Sequence, residues 1–421
     1  MNNSMKTTRI FAGLIIIIIS CSLSFSQDKN GGSLYSIFGL GDLSYSSSTR
    51  TDGMGILGIA LYGNYTNSLN PATWTQIENT RFATKFNLEN IRSTDGVDNS
   101  KRTYGSFEGF DLSIPFNRGN GWTFDAGLNT YSTVNYDIKY RGSSLGENYT
   151  QLYSGNGGIS RINLGFSYIL LKYLSFGVQF NYAFGNIIKS TKINFDNTQL
   201  FNTSNNLSDN ISGYYFSTGL IFHGFGKLFK TKKADKMTLG VYFSTPAKFK
   251  SSISGSFSKT TNTDSVNLTS GNIDIPWSGG IGISNEFNNK LVVSADAFMQ
   301  NWDSYKYYGV HPLEIKNSFR VGAGLEYTPS KKPEDSFLKR TSYRLGANYT
   351  AEYLKINGEN INTIGITTGL SLPVSRLNSV DLLFSFKRRG KSTNGLIQDN
   401  IFRLGATVNI GEIWFLKSPE N

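Results

Sequence analysis

The sequence predicts an all-β chain: a transmembrane antiparallel outer-membrane β-barrel of about fourteen strands, with an N-terminal hatch inside the lumen. Three observations carry this. Apolar and polar residues alternate with a period of two along most of the chain. Aromatic residues reach 14% although mean hydropathy is only −0.27. A glycine-rich stretch with no regular period precedes the first strand-like segment. A barrel keeps its apolar residues in every second position, so average hydropathy understates its contact with lipid.

The amino terminus reads as a leader. Lys6 and Arg9 precede an apolar run from Ile10 to Ile19, and Ser24-Phe25-Ser26 supplies the small residues of a cleavage site, so residues 1–26 are expected to be a secretory signal peptide. Cys21 is the only cysteine. It falls inside that leader, or, if "IISC" is a lipoprotein signal, it is an acylation site. Both readings make an exported protein, and with the barrel pattern the expected location is the outer membrane of a Gram-negative-type cell. Losing Lys6 and Arg9 lowers the net charge from +11 to +9. Basic residues near the rims are expected to meet acidic lipid head groups. Membrane lipids are therefore expected partners, and no segment resembles a nucleic-acid surface.

Residues 27–78 are expected to fold back as the hatch or plug. Gly39, Gly41, Gly53, Gly55, Gly58 and Gly63 allow irregular backbone to pack tightly. Asn70, Pro71 and Ala72, within "YTNSLNPATW", fix one turn. Irregular backbone is tolerated at membrane depth only where protein or water surrounds it. The other reading of this stretch is a tail tethered outside the barrel. The glycines form no phosphate loop, because no strand–helix pattern or lysine accompanies them.

From residue 79 to 421 the chain is expected to be barrel wall. In "LSFGVQFNYAFG" one face carries Leu174, Phe176, Val178, Phe180, Tyr182 and Phe184, and the other Ser175, Gly177, Gln179, Asn181, Ala183 and Gly185. "WTFDAGLNT", "RINLGFSY", "FRVGAGLEY", "YRLGANY" and "FRLGATVNI" repeat the pattern. A soluble sandwich or barrel alternates in the same way. Export, aromatic abundance and a polar face rich in Gly, Ser, Asn and Thr favour the membrane. Short links at 117–121, 170–173, 287–290 and 373–377 alternate with longer ones at 93–103, 141–155, 190–208 and 249–275. If the first strand, near 80–92, runs outward, every short link is periplasmic and the long ones are outer loops. Basic links at 227–236 and 329–340 are expected to be solvated turns.

Opposite the aromatic face lie Lys85, Glu89, Asp111, Asp125, Arg161, Asp296, Arg320, Glu326, Arg344 and Arg403. Pointing into the lumen, these charges avoid lipid and hold wall and hatch together. A sharper role is recognition of an anionic head group by Arg161, Arg320, Arg344 and Arg403, with Asp296 beside them, since arginine pairs well with a carboxylate. Phe298, also inward, would offer an apolar surface. Pro115 removes one ladder donor and marks a candidate bulge or lateral kink. His223 and His311 fall at opposite rims and no nucleophile motif accompanies them, so no enzyme activity is expected. Neither is a metal or other cofactor, for no His or Cys pair has ligand spacing.

Three stretches resemble the outer-membrane long-chain fatty acid transporter family, also called the FadL or toluene-transporter family. "NSLNPATW" is similar to its Asn-Pro-Ala hatch element, with Thr73 where the family commonly has glycine. "IPWSGGIGISNEFNNKLVVSADAFMQNW" is similar to its glycine-rich strand, tight turn and Ser-Ala-Asp strand ending in Trp. "SFRVGAGLEYTPS" and "SYRLGANYT" are similar to its paired Arg-bearing strands. The resemblance implies passive uptake of a hydrophobic small molecule such as a long-chain fatty acid, captured among outer loops such as 190–208 and 249–275 and released by hatch rearrangement. It also implies that a kinked strand opens a path into the membrane, for which Pro115 is the candidate. Proteins that look like this family also serve as non-transporting subunits of outer-membrane secretion or assembly complexes, which makes other outer-membrane proteins the alternative partners.

Overall fold

A computed structural model describes residues 32–414, apart from 46–47, 145, 198 and 260–261. The expected signal peptide and Cys21 lie outside the described residues. The wall consists of β1 (Thr80–Thr94), β2 (Asn99–Asn117), β3 (Trp122–Ser144), β4 (Glu147–Leu171), β5 (Leu174–Phe195) and β6 (Thr203–His223). There follow two interrupted strands, β7 (Thr238–Ser244 and Ala247–Lys259) and β8 (Asn262–Ile275 and Ser278–Phe287). The wall is completed by β9 (Leu291–Gln300), β10 (Ser318–Tyr327), β11 (Ser342–Ile356), β12 (Glu359–Pro373), β13 (Ser379–Gly390) and β14 (Gln398–Glu412). Each strand is antiparallel to the next, and β14 closes on β1 from Gln398↔Thr94 to Glu412↔Thr80. Closure gives a 14-strand barrel, which removes the free edges that lipid would not solvate.

The direction of the alternation decides between membrane and soluble fold. On β5, Val178, Phe180, Tyr182 and Phe184 are exposed, whereas Ser175, Gln179 and Asn181 are buried. Leu220, Ile281, Leu345, Ile364, Phe384 and Leu404 are likewise exposed on other strands. A sandwich would bury these side chains and wet the polar face. Here the polar face is the interior, so the apolar band meets lipid.

The hatch lies inside the lumen. Its regular pieces are short: Leu34–Ile37, Thr49–Gly53 and Pro71–Gln76 are single turns of helix, and Asp42–Leu43 forms a two-residue strand against β3. Ile56, Leu57, Ile59, Leu61, Ala72 and Trp74 are at most 1% exposed. Gly39, Gly41, Gly55, Gly58 and Gly63 take the positive φ angles that irregular backbone needs, while Gly53 sits in the Thr49–Gly53 helix. Asn70 caps the Pro71–Gln76 turn, its side-chain oxygen accepting from the Ala72 N–H at 3.0 Å. Pro71 stands at the first helical position, where a missing N–H is harmless.

The wall receives this backbone on a ring of inward glycines. A Cβ at Gly177 would overlap Pro71 and Ala72, and one at Gly219 would overlap the Asn70 side-chain oxygen. Gly240 abuts Ile59 and Ala60, Gly282 abuts Ala60, Gly322 abuts Gly55, and Gly346 abuts Met54. As the strand number rises from β5 to β11, the hatch residue touched falls from 72 to 54. The hatch therefore circles the bore one strand at a time, with a glycine at each of these crossings and, on β9, Asp296 in the glycine's place.

The expected long outer loops differ from the structure. Most of residues 141–155, 190–208 and 249–275 belong to paired strands. Period-two polar sequence continues past the membrane, and outside lipid such strands are polar on both faces, which makes them resemble loops. The basic links 227–236 and 329–340 do hold exposed turns, including the short helices Phe225–Leu228 and Phe337–Arg340.

Gly219→Val would force the hatch off the wall at a cost of ~1–3 kcal/mol from overpacking. The barrel is expected to remain heat-modifiable on gels while limited proteolysis begins to cut within residues 48–79; a hatch still fully protected would refute the close approach.

Candidate functional site: a charged lumen sealed at its outer half

The charges predicted to face the lumen do so, and most of them hold the hatch. Asp296, on β9, accepts the backbone N–H groups of Leu57 and Gly58, both at 2.8 Å. Arg161, on β4, donates to Ser68 Oγ at 3.1 Å and to the Tyr215 hydroxyl at 3.3 Å. Arg320, on β10, donates to the Gly55 carbonyl at 3.4 Å. Glu326 stands between Arg344 of the wall, at 2.7 Å, and Arg50 of the hatch, at 2.7 Å and 2.9 Å. Arg403 pairs with Glu89. Phe298 is buried, its ring 5.0 Å from Tyr45 of the hatch and 6.2 Å from Tyr242. The apolar surface it would offer a ligand is thus covered by the protein's own tyrosine.

Lys85, also expected inward, meets Asp52 of the hatch at 2.6 Å. Arg389, which escaped sequence reasoning, bridges Asp42 at 2.7 Å and Asp399 at 3.3 Å. The acidic residues of the hatch were the available signal, because an acid placed in a lumen needs a cation facing it.

The candidate residues do not converge on one site. Arg320 and Arg403 line a central cavity of about 150 Å³, together with Asp52, Lys85, Glu108 and Lys387. Arg161 and Phe298 line a separate space of about 40 Å³ among Tyr45, Tyr131, Tyr215 and Tyr242. Arg344 belongs with Glu326 and Asp381, which lies 3.4 Å from it. Pockets for drug-sized ligands are usually ~300–1,000 Å³ and mostly apolar. The central cavity is smaller and charged, and the aromatic one has room for no more than a few waters. At the inner mouth a vestibule of about 700 Å³ opens beneath the hatch, lined by Arg50, His223, Lys236, Glu286, Lys331 and Arg376.

The outer half of the bore holds an apolar core. The segment between β9 and β10 turns inward, burying Trp302, Tyr305 and Ile315 at 0%, 1% and 3% exposure. Trp302 stacks on Tyr353 of β11 at 4.6 Å, and both ring nitrogens of His311 face carbonyls, Nδ1 at 2.8 Å from the Tyr305 oxygen and Nε2 at 3.1 Å from the Ile315 oxygen. Tyr35 and Leu40 of the hatch join the same core. Its other members come from β3 to β8 on one side and from β11, β12 and Leu396 of the β13–β14 link on the other, so the core spans the bore. His311 is thus committed to this loop, far from His223, which lies at the other end of the barrel beside Tyr62 and Tyr173.

Pro115 does stand at a register shift, between Pro115 and Asn117, but β2 and β3 remain paired there. They part six residues further on, for their pairing ends at Gly109↔Asn129 although both strands continue outward. Into the cleft the hatch lays Asp42 and Leu43 against Thr133 and Ser132. Ser44 N–H then donates to the Tyr131 carbonyl at 2.9 Å, and its hydroxyl to Glu108 of β2 at 3.3 Å. The hatch thereby closes the seam that its own wall leaves.

A profile of the family described as BamG matches residues 8–421. No protein of curated function matches the sequence. Among solved structures, a Pseudomonas aeruginosa FadL homologue is similar with a TM-score of 0.58 at 13% identity, over 87% of this chain and 99% of that one. The CymD monoaromatic hydrocarbon channel gives 0.55 at 15% identity, over 89% and 99%. The Pseudomonas putida toluene transporter TodX gives 0.52 at 17% identity, over 88% and 99%. The fold is that of these outer-membrane barrels.

Glu326→Gln would leave Arg50 and Arg344 facing a neutral group in the interior, a loss of ~3–5 kcal/mol for a broken buried pair. Lys331→Ala, which removes the half-exposed partner of Glu286, should cost ~0–1 kcal/mol. Thermal unfolding in detergent should separate the two, and equal midpoints would contradict the assignment. Trp302→Ala should cost ~3–5 kcal/mol and admit small solutes through the outer core, read as a rise in liposome swelling.

Proposed function

We propose, from the premise that the chain belongs to the BamG family, that it is a non-conducting barrel serving as a subunit of an outer-membrane assembly complex. The observation that carries this is the filled bore: an ion-paired hatch below and an apolar core above, with a small charged cavity between them. Every candidate ligand group in the lumen except Arg403 is engaged, directly or through Glu326, by the hatch. A transporter's binding groups should await a ligand, whereas these are occupied. The family name points the same way, toward outer-membrane assembly complexes.

The second reading is passive uptake of a hydrophobic small molecule such as a long-chain fatty acid. The cleft between β2 and β3 favours it, because Tyr104, Ser106 and Glu108 of β2 and Thr133 of β3 border the central cavity. An anionic head group would lie against Arg320 and Lys387, which line that cavity and have no acidic partner within ion-pair distance among the described residues. In this reading Asp42 to Tyr45 must leave the cleft first.

Native mass spectrometry of the protein gently extracted from its own outer membrane tests the two. Stoichiometric protein partners with no bound small molecule are the expected result. A lone barrel carrying a hydrophobic ligand, whose uptake falls in an Arg320→Ala variant that stays heat-modifiable, would replace the assembly reading with transport.

A further inference from the structure

Above the membrane the wall is not a closed barrel. The outer half of β8, Asn262–Ile275, pairs along one side with β7, from Asn262↔Lys259 to Ile275↔Ala247. Among the described residues its other side meets only Lys306, Tyr307 and Tyr308, at Asp274, Ile273 and the Asn272 carbonyl. The next strand, β9, pairs with the inner half of β8 and stops at Gln300↔Ser278. Residues 262–271 therefore present a strand edge without a ladder partner among the described residues, roughly 30 Å long at the usual rise per residue.

Free edges are templates for strand addition, and proteins usually blunt them with lysine, proline or short length. From Asn262 to Asn272 the chain has no lysine and no proline, and its single charge is Asp264. A bulge between Asn267 and Thr269 is the only blunting device among the described residues. Val266 and Leu268 are 50% and 45% exposed, and Phe257 on the neighbouring strand 44%, so apolar surface borders the edge. The protein itself uses such edges. Lys306–Tyr307 adds to the base of this one, continued by the Tyr308 N–H donating to the Asn272 carbonyl at 3.0 Å, and Asp42–Leu43 adds to β3.

We infer that residues 262–271 of β8 accept a β-strand from a protein partner at the cell surface. The inference rests on the assembly reading above. The donor is an extended segment of neutral or basic character, to complement Asp274 at the base of the edge, with apolar residues at alternate positions to cover Val266 and Leu268. Main-chain hydrogen bonds supply the affinity and the apolar pair fixes the register.

Hydrogen–deuterium exchange on peptides spanning 262–272 tests it, comparing the natively extracted assembly with the purified barrel. Exchange at least tenfold slower in the assembly is expected. A Val266→Lys/Leu268→Lys variant, still heat-modifiable, should lose both that protection and the partner that supplies it. Partners present with fast exchange on this edge would overturn the strand while leaving the assembly reading intact. No partner at all would overturn both, and protection in the purified protein, appearing as it dimerises, would assign the edge to a second copy.

Discussion

The structure depends on how closely the hatch backbone approaches the wall. Irregular backbone at membrane depth has no water to satisfy its polar groups, so the wall must supply partners, and only glycine lets two backbones come near enough. Gly177, Gly219, Gly240, Gly282, Gly322 and Gly346 provide the space. Side chains beside them provide the partners: Thr238 donates to the Ala60 carbonyl at 2.8 Å and Thr367 to the Gly53 carbonyl at 3.1 Å. Glycine in a strand interior weakens it by roughly 0.5–1 kcal/mol relative to alanine. A ring of them is affordable only because the hatch packs against the weakened strands, so neither part is stable in this form without the other.

Ion pairs then fix the hatch in rotation. A buried pair contributes little net stability, since desolvation cancels most of the attraction, but separating its members is costly. Arg50–Glu326, Asp52–Lys85 and Asp42–Arg389 attach the hatch to β10, β1 and β13. Turning it by one strand would strand all three pairs at once and set side chains where glycines had been. The hatch therefore has one seat, and leaving it requires breaking these contacts together.

Much of this was legible in the sequence, and what was not has a physical cause. The period of two on β5 located a strand and its faces, and the exposure of Val178 and Phe180 resolved the ambiguity that periodicity leaves between lipid and solvent. Inward charges such as Asp296 and Arg344 were readable because lipid excludes them. The outer hairpins were not, since polar strands outside lipid lose the contrast between their faces. Trp302 and Tyr305 lie in a stretch without period, where tertiary packing alone makes them core. The hatch's path was invisible for a related reason: a glycine in a strand signals a close approach but does not say to what.

The filled bore bears on what the barrel is for. FadL-type barrels share this wall, and at 13–17% identity the likeness extends to the fold and not to the contents of the lumen. Function lives in sites grafted on a fold. Here most of the candidate ligand groups in the lumen are engaged by the hatch and its apolar groups by the outer core, so the larger uncommitted surfaces are on the outside. They are the lipid-facing band, the basic inner rim and the tall wall from β3 to β8, which outgrows its neighbours on one side. A channel gains nothing from a wall of uneven height. A subunit that must hold a neighbour at the cell surface gains a rigid ledge whose free strands are aligned before the partner arrives, so little ordering entropy opposes their pairing.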